Sequence, residues 1–141
     1  MATVFTNTGK AKLVDALDNT QLTRPTYIGW GTGSTAAAAT DTGLETASAE
    51  ARTNGTPTQQ TTTVAGDTFQ VVGTITSSSS QTISEAALFD ASTSGNCYVH
   101  GVFTGIALGN GFDPLYGFQG FLTAVDKGES MLHPFNAFKL T

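Results

Sequence analysis

Charge is scarce in this chain. Asp, Glu, Lys and Arg make up 12% of its 141 residues, and only six are Lys or Arg. Those six are scattered singly, so there is no basic patch. Direct nucleic-acid binding is therefore excluded as a leading function, because phosphate neutralisation supplies most of that affinity. With a formal net charge of −5, anionic membrane surfaces are disfavoured for the same reason. No run of about 18 apolar residues is present to span a bilayer. Cysteine occurs once, at Cys97, which rules out an intrachain disulfide framework. Strand parity makes Cys97 a small buried apolar residue in preference to a reactive thiol. Residues 1–20 carry Lys10, Lys12, Asp15 and Asp18, a pattern unlike a signal peptide. The expectation is synthesis in a cytoplasm without the usual export route.

What is abundant is Thr, Ser and Gly. Thr suits strands, and the 16 glycines suit turns, so composition predicts an all-β domain with minor helix. The most informative stretch is Asp67–Asp90. Phe69, Val71, Gly73 and Ile75 share one parity, four serines follow at 77–80, and Ile83 to Phe89 reads as a return strand. The pattern predicts a hairpin. Thr26–Trp30 reads as a strand closed by Gly31-Thr-Gly33. Cys97–Thr104 reads as another, continued or bent at Ile106 and Leu108, with Ser92–Asn96 as the turn before it. Residues 8–19 are the best helix candidate, capped by Asn7 or Thr8 and docking a Leu13/Leu17 face. Met1–Thr6 is a short strand or an arm. Ser34–Ala51 is either a set of short helical turns or a loop draped over the domain.

Each candidate for chemistry has a plainer reading. Gly31-Thr-Gly33-Ser-Thr-Ala36 matches a loose dinucleotide pattern but lacks the strand–helix–strand context that the pattern needs. Its glycines fit a tight turn covering Trp30, a structural residue. Glu85 and Asp90 are five apart and fall on opposite faces of a regular strand, a poor arrangement for paired acid–base work. Glu85 is instead read as a buried structural anchor, bonded to backbone N–H groups or to Arg52. His100 and His133 lack partners at metal spacing and read as surface or satisfied core histidines. No nucleophile elbow is present. The chain is read as a non-enzyme with no cofactor, metal or catalytic residue.

Residues 112–141 differ in character. They hold five of the nine Phe, together with Pro114 and Pro134, without sustained periodicity. Such an aromatic-rich tail is unlike a solvated disordered end. The expected organisation is a β-sandwich domain with an N-terminal helix over 1–111, then an extension over 112–141 that packs on the core or on neighbouring subunits. Candidate interface anchors are Tyr116, Phe118, Phe121, Phe135 and Phe138, because aromatics dominate interface energetics.

Four segments in order, Tyr27-Ile-Gly-Trp-Gly-Thr-Gly33, Ala39-Thr-Asp-Thr-Gly-Leu-Glu45, Asp67–Thr76 and Ile83-Ser-Glu-Ala-Ala-Leu-Phe-Asp90, resemble a family of small tailed-bacteriophage virion proteins. The resemblance covers about residues 8–110, and the chain departs from it at Gly111-Phe-Asp-Pro114. It implies an antiparallel β-sandwich particle component made in the host cytoplasm, with no catalytic or cofactor residues. The first expectation is a capsid decoration (cement) protein on the capsid surface. Its partners would be the major capsid protein and itself, as homotrimer or dimer, with no nucleic acid or membrane. Met1–Thr6 and Phe112–Thr141 would be its gripping arms. The alternative is a tail-fibre or baseplate-associated structural or receptor-binding module, with Trp30 or Tyr98 as exposed aromatics for glycan or surface protein.

Overall fold

The computed structural model describes residues 2–18, 23–61, 63, 65–66 and 68–108. In chain order these form β1 (Ala2–Phe5), α1 (Asn7–Leu17), β2 (Tyr27–Gly31), β3 (Thr53–Asn54), β4 (Thr56–Gln60), β5 (Thr68–Val72), β6 (Gln81–Phe89) and β7 (Cys97–Leu108). Five strands make an antiparallel sheet in the order β1-β7-β6-β2-β3, and β4 pairs with β5 in a second sheet. The fold is thus mostly β and antiparallel with one short N-terminal helix, as composition predicts.

Central strand β6 is buried from Ile83 through Phe89 without alternation, because both faces of the large sheet are covered. Cross-strand neighbours share a face. On one face, Ile28 and Trp30 lie opposite Leu88 and Ala86, and Leu88 lies opposite Val99. These residues join Val71 and Ile75 in the main core, with Phe69 and Val72 packed against it, so the small sheet lies over this side. On the other face Ala87, Phe89 and Cys97 cluster with Tyr27 and Leu44. Leu44 belongs to the 32–52 connection, which forms no helical turn and lies over this face as a loop. It is pinned beside β2 by a bridge between Gly31 and Ala47.

The 67–90 hairpin is not what forms. β5 pairs with β4, Thr56 opposite Val72 through Gln60 opposite Thr68, while β6 pairs with β2 and β7. Alternation identifies a strand but carries no information about its partner. The serines do not make a tight turn. Ser78 donates its backbone N–H and its hydroxyl to Glu50 at 2.8 and 2.7 Å, and Gln81 Nε2 donates to Ser77 Oγ at 2.6 Å. The hairpin that forms is β6–β7, turned through Ser94 and Gly95, both with positive φ. There Asp90 accepts from Asn96 N and Nδ2, each at 2.7 Å.

In the N-terminal segment the strand alternative holds, while the helix cap and its docking differ from expectation. Ala2–Phe5 is an edge strand paired with Val99–Val102, not a free arm. Thr6 caps the helix, its hydroxyl oxygen accepting from Gly9 N at 3.0 Å. The Leu13/Leu17 face docks only in part: Leu13 is half-buried, but Leu17 is 83% exposed. Contact is made one turn earlier at Gly9, where a Cβ would lie 2.6 Å from Tyr98 O and 2.7 Å from Phe5 Cε2. The absence of a side chain there lets the helix backbone rest directly on β7. The expected extension over 112–141 and His133 lie outside the described residues.

Candidate functional site

The loop-covered face holds the main polar cluster. β6 presents Glu85 opposite Gly31 on β2 and Val102 on β7, and β7 presents His100 opposite Ala87. Both side chains face the loop. Glu85 has no solvent exposure. Its Oε1 accepts from Gly33 N at 3.0 Å and Thr46 N at 2.7 Å, and its Oε2 from Glu45 N at 2.8 Å. Oε2 also lies 2.9 Å from His100 Nε2, while His100 Nδ1 lies 2.7 Å from Asp41 Oδ2. Asp41 accepts in turn from Ala38 N at 2.8 Å. Glu45 ties the start of the loop to its end, accepting from Ser34 N, Thr35 N and the Thr35 hydroxyl.

Three backbone N–H groups converge on Glu85 and require an acceptor at each of its two oxygens. Partial burial opposes charge on Asp41, but the Ala38 N–H and His100 outweigh it and hold its carboxyl below the ordinary 3.8. Hydrogen bonds from Thr35, first its hydroxyl, lower Glu45 likewise. His100 stands between the two carboxyl groups, Nε2 on Glu85 and Nδ1 on Asp41.

The glycines of the 27–33 segment belong to this arrangement. A Cβ at Gly33 would lie 2.6 Å from Glu85 Oε1 and 2.7 Å from Glu45 Cβ, and one at Gly31 would lie 2.5 Å from Glu85 Oε1. Only glycine lets the backbone come close enough to donate to Glu85. Their role is the approach of chain to carboxylate, not the covering of an indole or the cradling of a pyrophosphate.

A depression of about 390 Å³ lies above His100, bordered by Thr35, Thr40, Asp41, Thr42 and Glu45. His100 is only 2% exposed, and both its nitrogens are engaged, so neither is free to take a substrate proton or a metal. No group of three or more His, Cys, Asp or Glu among the described residues could hold a metal. The arrangement clamps the loop to the sheet.

A second cluster clamps the other end of the loop. Glu50 accepts from Trp30 Nε1 at 3.2 Å, from Gln81 Nε2 at 3.0 Å, and from the Ser48 hydroxyl. Partial burial works against its charge, yet bonds from Ser48, Ser78 and Gln81 prevail and hold the carboxyl far below the ordinary 4.5. Trp30 and Tyr98 are 2% and 4% exposed, so neither offers a ring face for glycan stacking. Arg52 is not the partner of Glu85. It lies 3.3 Å from the Phe89 ring centroid and donates to Ala91 O and Ser94 O. Burial pushes the Cys97 thiol up to about 12, which makes it unreactive. The anchors Tyr116, Phe118, Phe121, Phe135 and Phe138 lie outside the described residues.

Three of the four segments that carry the phage resemblance meet at this one place: Gly33, Asp41 with Glu45, and Glu85. A family model described as podophage GP4 fiber I protein gp80 matches residues 4–114, a span that contains all of them. The chain belongs to that family. It is a phage fibre protein, a structural component of the virion. The gp80 family description favours the tail-fibre alternative over capsid decoration and implies a non-enzymatic role. A search of curated proteins and a search of solved structures each found no match.

His100 and Asp41 were not singled out from the sequence as a pair. They are 59 residues apart, and neither carries a local spacing signal. The available signal was the joint occurrence of the Thr40-Asp-Thr42 and Ile83-Ser-Glu85 segments, which acquires meaning only when the fold brings them together.

Proposed function

We propose that the chain is a non-catalytic building module of the tail fibre. The β domain serves as a rigid platform, and residues 112–141 make the contacts with neighbouring fibre or baseplate proteins. The observation that carries this reading is the inward direction of the polar chemistry. Glu85, His100, Asp41 and Glu50 all spend their hydrogen bonds on holding the 32–52 loop to the sheet. Among the described residues no buried side-chain nitrogen or oxygen is left without a partner. A module engaged in this way resists deformation and transmits load. Tyr116, Phe118, Phe121, Phe135 and Phe138 supply the large apolar surfaces that protein contacts favour.

Copy number tests the placement. Quantitative gel analysis of purified virions is expected to give tens of copies or fewer, as a fibre requires. Hundreds of copies, the number needed to cover a shell, would return the chain to the capsid. Deleting 112–141 is expected to abolish incorporation while the remaining domain stays folded. Normal incorporation of the truncated chain would remove the tail from the account.

A further inference from the structure

A groove of about 430 Å³ lies between the small sheet, β1 and α1. Phe5 of β1, Leu13 of α1, Pro57 of β4 and Phe69 of β5 form its walls, and the buried Leu88 and Val99 lie at its floor. Exposed Arg24 is the one charged residue on the lining, so the groove has no carboxylate of its own to pair with it. The segment that carries Arg24 is held in place by Tyr98, whose hydroxyl donates to Thr23 O at 3.1 Å. Helix α1 does not close the groove, because it contributes Leu13 while Leu17 points away, 83% exposed.

We propose that this groove receives the chain's own C-terminal segment Phe118–Asp126, with Phe118, Phe121 and Leu122 in its apolar part and Asp126 beside Arg24. Reach selects the segment. Val99 at the floor and Leu108 at the end of β7 are about 30 Å apart along one strand at about 3.3 Å per residue. A returning chain must cover that distance again, which takes about nine or ten residues when fully extended. Residues 112–117 therefore fall short, and Phe118 is the first bulky residue beyond Leu108 that can arrive. Asp113 is out of reach for the same reason, which leaves Asp126 as the first carboxylate able to meet Arg24.

Chemistry and connection agree with reach. Phe118-Gln-Gly-Phe121-Leu122 places three large apolar side chains within five residues, and the groove volume falls in the range of roughly 300–1,000 Å³ that encloses groups of such bulk. Because the segment belongs to the same chain, its effective concentration at the groove is on the order of millimolar, ahead of any free competitor. Docking fixes the root of the tail on the platform and leaves Phe135 and Phe138 for neighbouring proteins. This goes beyond the function proposed above and holds whether the particle site is the fibre or the head.

Photo-cross-linking of the full-length chain tests it. Gln59, exposed on the groove lining, is replaced by the photoreactive residue p-benzoylphenylalanine, and Ala36, exposed on the loop over the opposite face, serves as the control position. After irradiation, peptide mapping of the Gln59 variant is expected to find cross-links to residues 118–126. An equal mixture of unlabelled and heavy-isotope chains is expected to give only light–light and heavy–heavy peptide pairs, as an intramolecular contact requires. Phe118→Ser together with Phe121→Ser is expected to lower the yield on the order of tenfold, and Asp126→Lys on the order of threefold. Adding Arg24→Glu to Asp126→Lys is expected to restore it. Far-UV circular dichroism checks that each variant keeps its fold. A yield no higher than at the Ala36 control, cross-links only outside 118–126, or a yield indifferent to these substitutions would overturn the proposal. So would mixed-isotope pairs, since they assign the occupant to a second copy.

Discussion

Replacing Glu85 with Gln isolates the central clamp, because the side chain keeps its shape and loses only charge and acceptors. The three backbone donors around it dictate the cost. With its oxygen in the place of Oε1, the amide still accepts from Gly33 N and Thr46 N. Its NH₂ then lies 2.8 Å from Glu45 N, donor against donor, and one buried N–H is orphaned at about 1–3 kcal/mol. The reverse orientation is worse, since the NH₂ would face two backbone donors. Exchange of charged for neutral acceptors removes roughly another 1 kcal/mol. The net expectation is a destabilisation of about 3 kcal/mol. Urea unfolding reports it through Trp30, the single Trp, which sits in the core. With a slope of about 1.5 kcal/mol per molar, the midpoint falls by roughly 2 M at unchanged slope. Native-state hydrogen exchange should show Gly33, Glu45 and Thr46 amides losing protection first. A midpoint shift below roughly 0.3 M would refute the view that Glu85 organises the loop.

Gly33→Ala forces a Cβ into the carboxylate and is expected to cost about 2–3 kcal/mol, also read from the urea midpoint; an unchanged midpoint would mean the loop can shift freely. Acid stability follows from the lowered carboxyls of Glu50, Asp41 and Glu45. Their folded values lie below the unfolded ones, so their contribution is full above about pH 4.5 and is lost as pH falls through the folded values. The urea midpoint should therefore hold from neutrality to about pH 4.5 and decline below it, with Glu50→Gln flattening the decline. Cys97, with its thiol pushed up to about 12, is expected to react with maleimide at neutral pH only after denaturation; labelling of the native protein at the rate of a free thiol would contradict its burial.

The strands were legible in the sequence and several of their partners were not. Period-2 alternation marked Phe69–Val71 and the run from Cys97 to Thr104 as strands, although the structure buries Cys97–Gly101 on both faces. The pairing of β5 with β4 left none, since Thr56–Gln60 is a polar segment containing Pro57 and reads as a connection. α1 was legible as a helix but not in its docking. Leu13 and Leu17 follow the expected helical spacing, while the actual contact depends on the missing side chain of Gly9, an absence that periodicity does not score. At the site, Glu85 was visible as a carboxylate set among apolar residues. Its partners could not be read, because three of them are backbone N–H groups of a loop whose path only the tertiary fold defines. The glycines at 31 and 33 stood out as a motif, and their reason became clear only with Glu85 beside them.

Antibody-gold labelling of intact virions tests the central assignment most directly. The account predicts gold confined to the fibres, with heads unlabelled. Gold distributed over the head surface would contradict it.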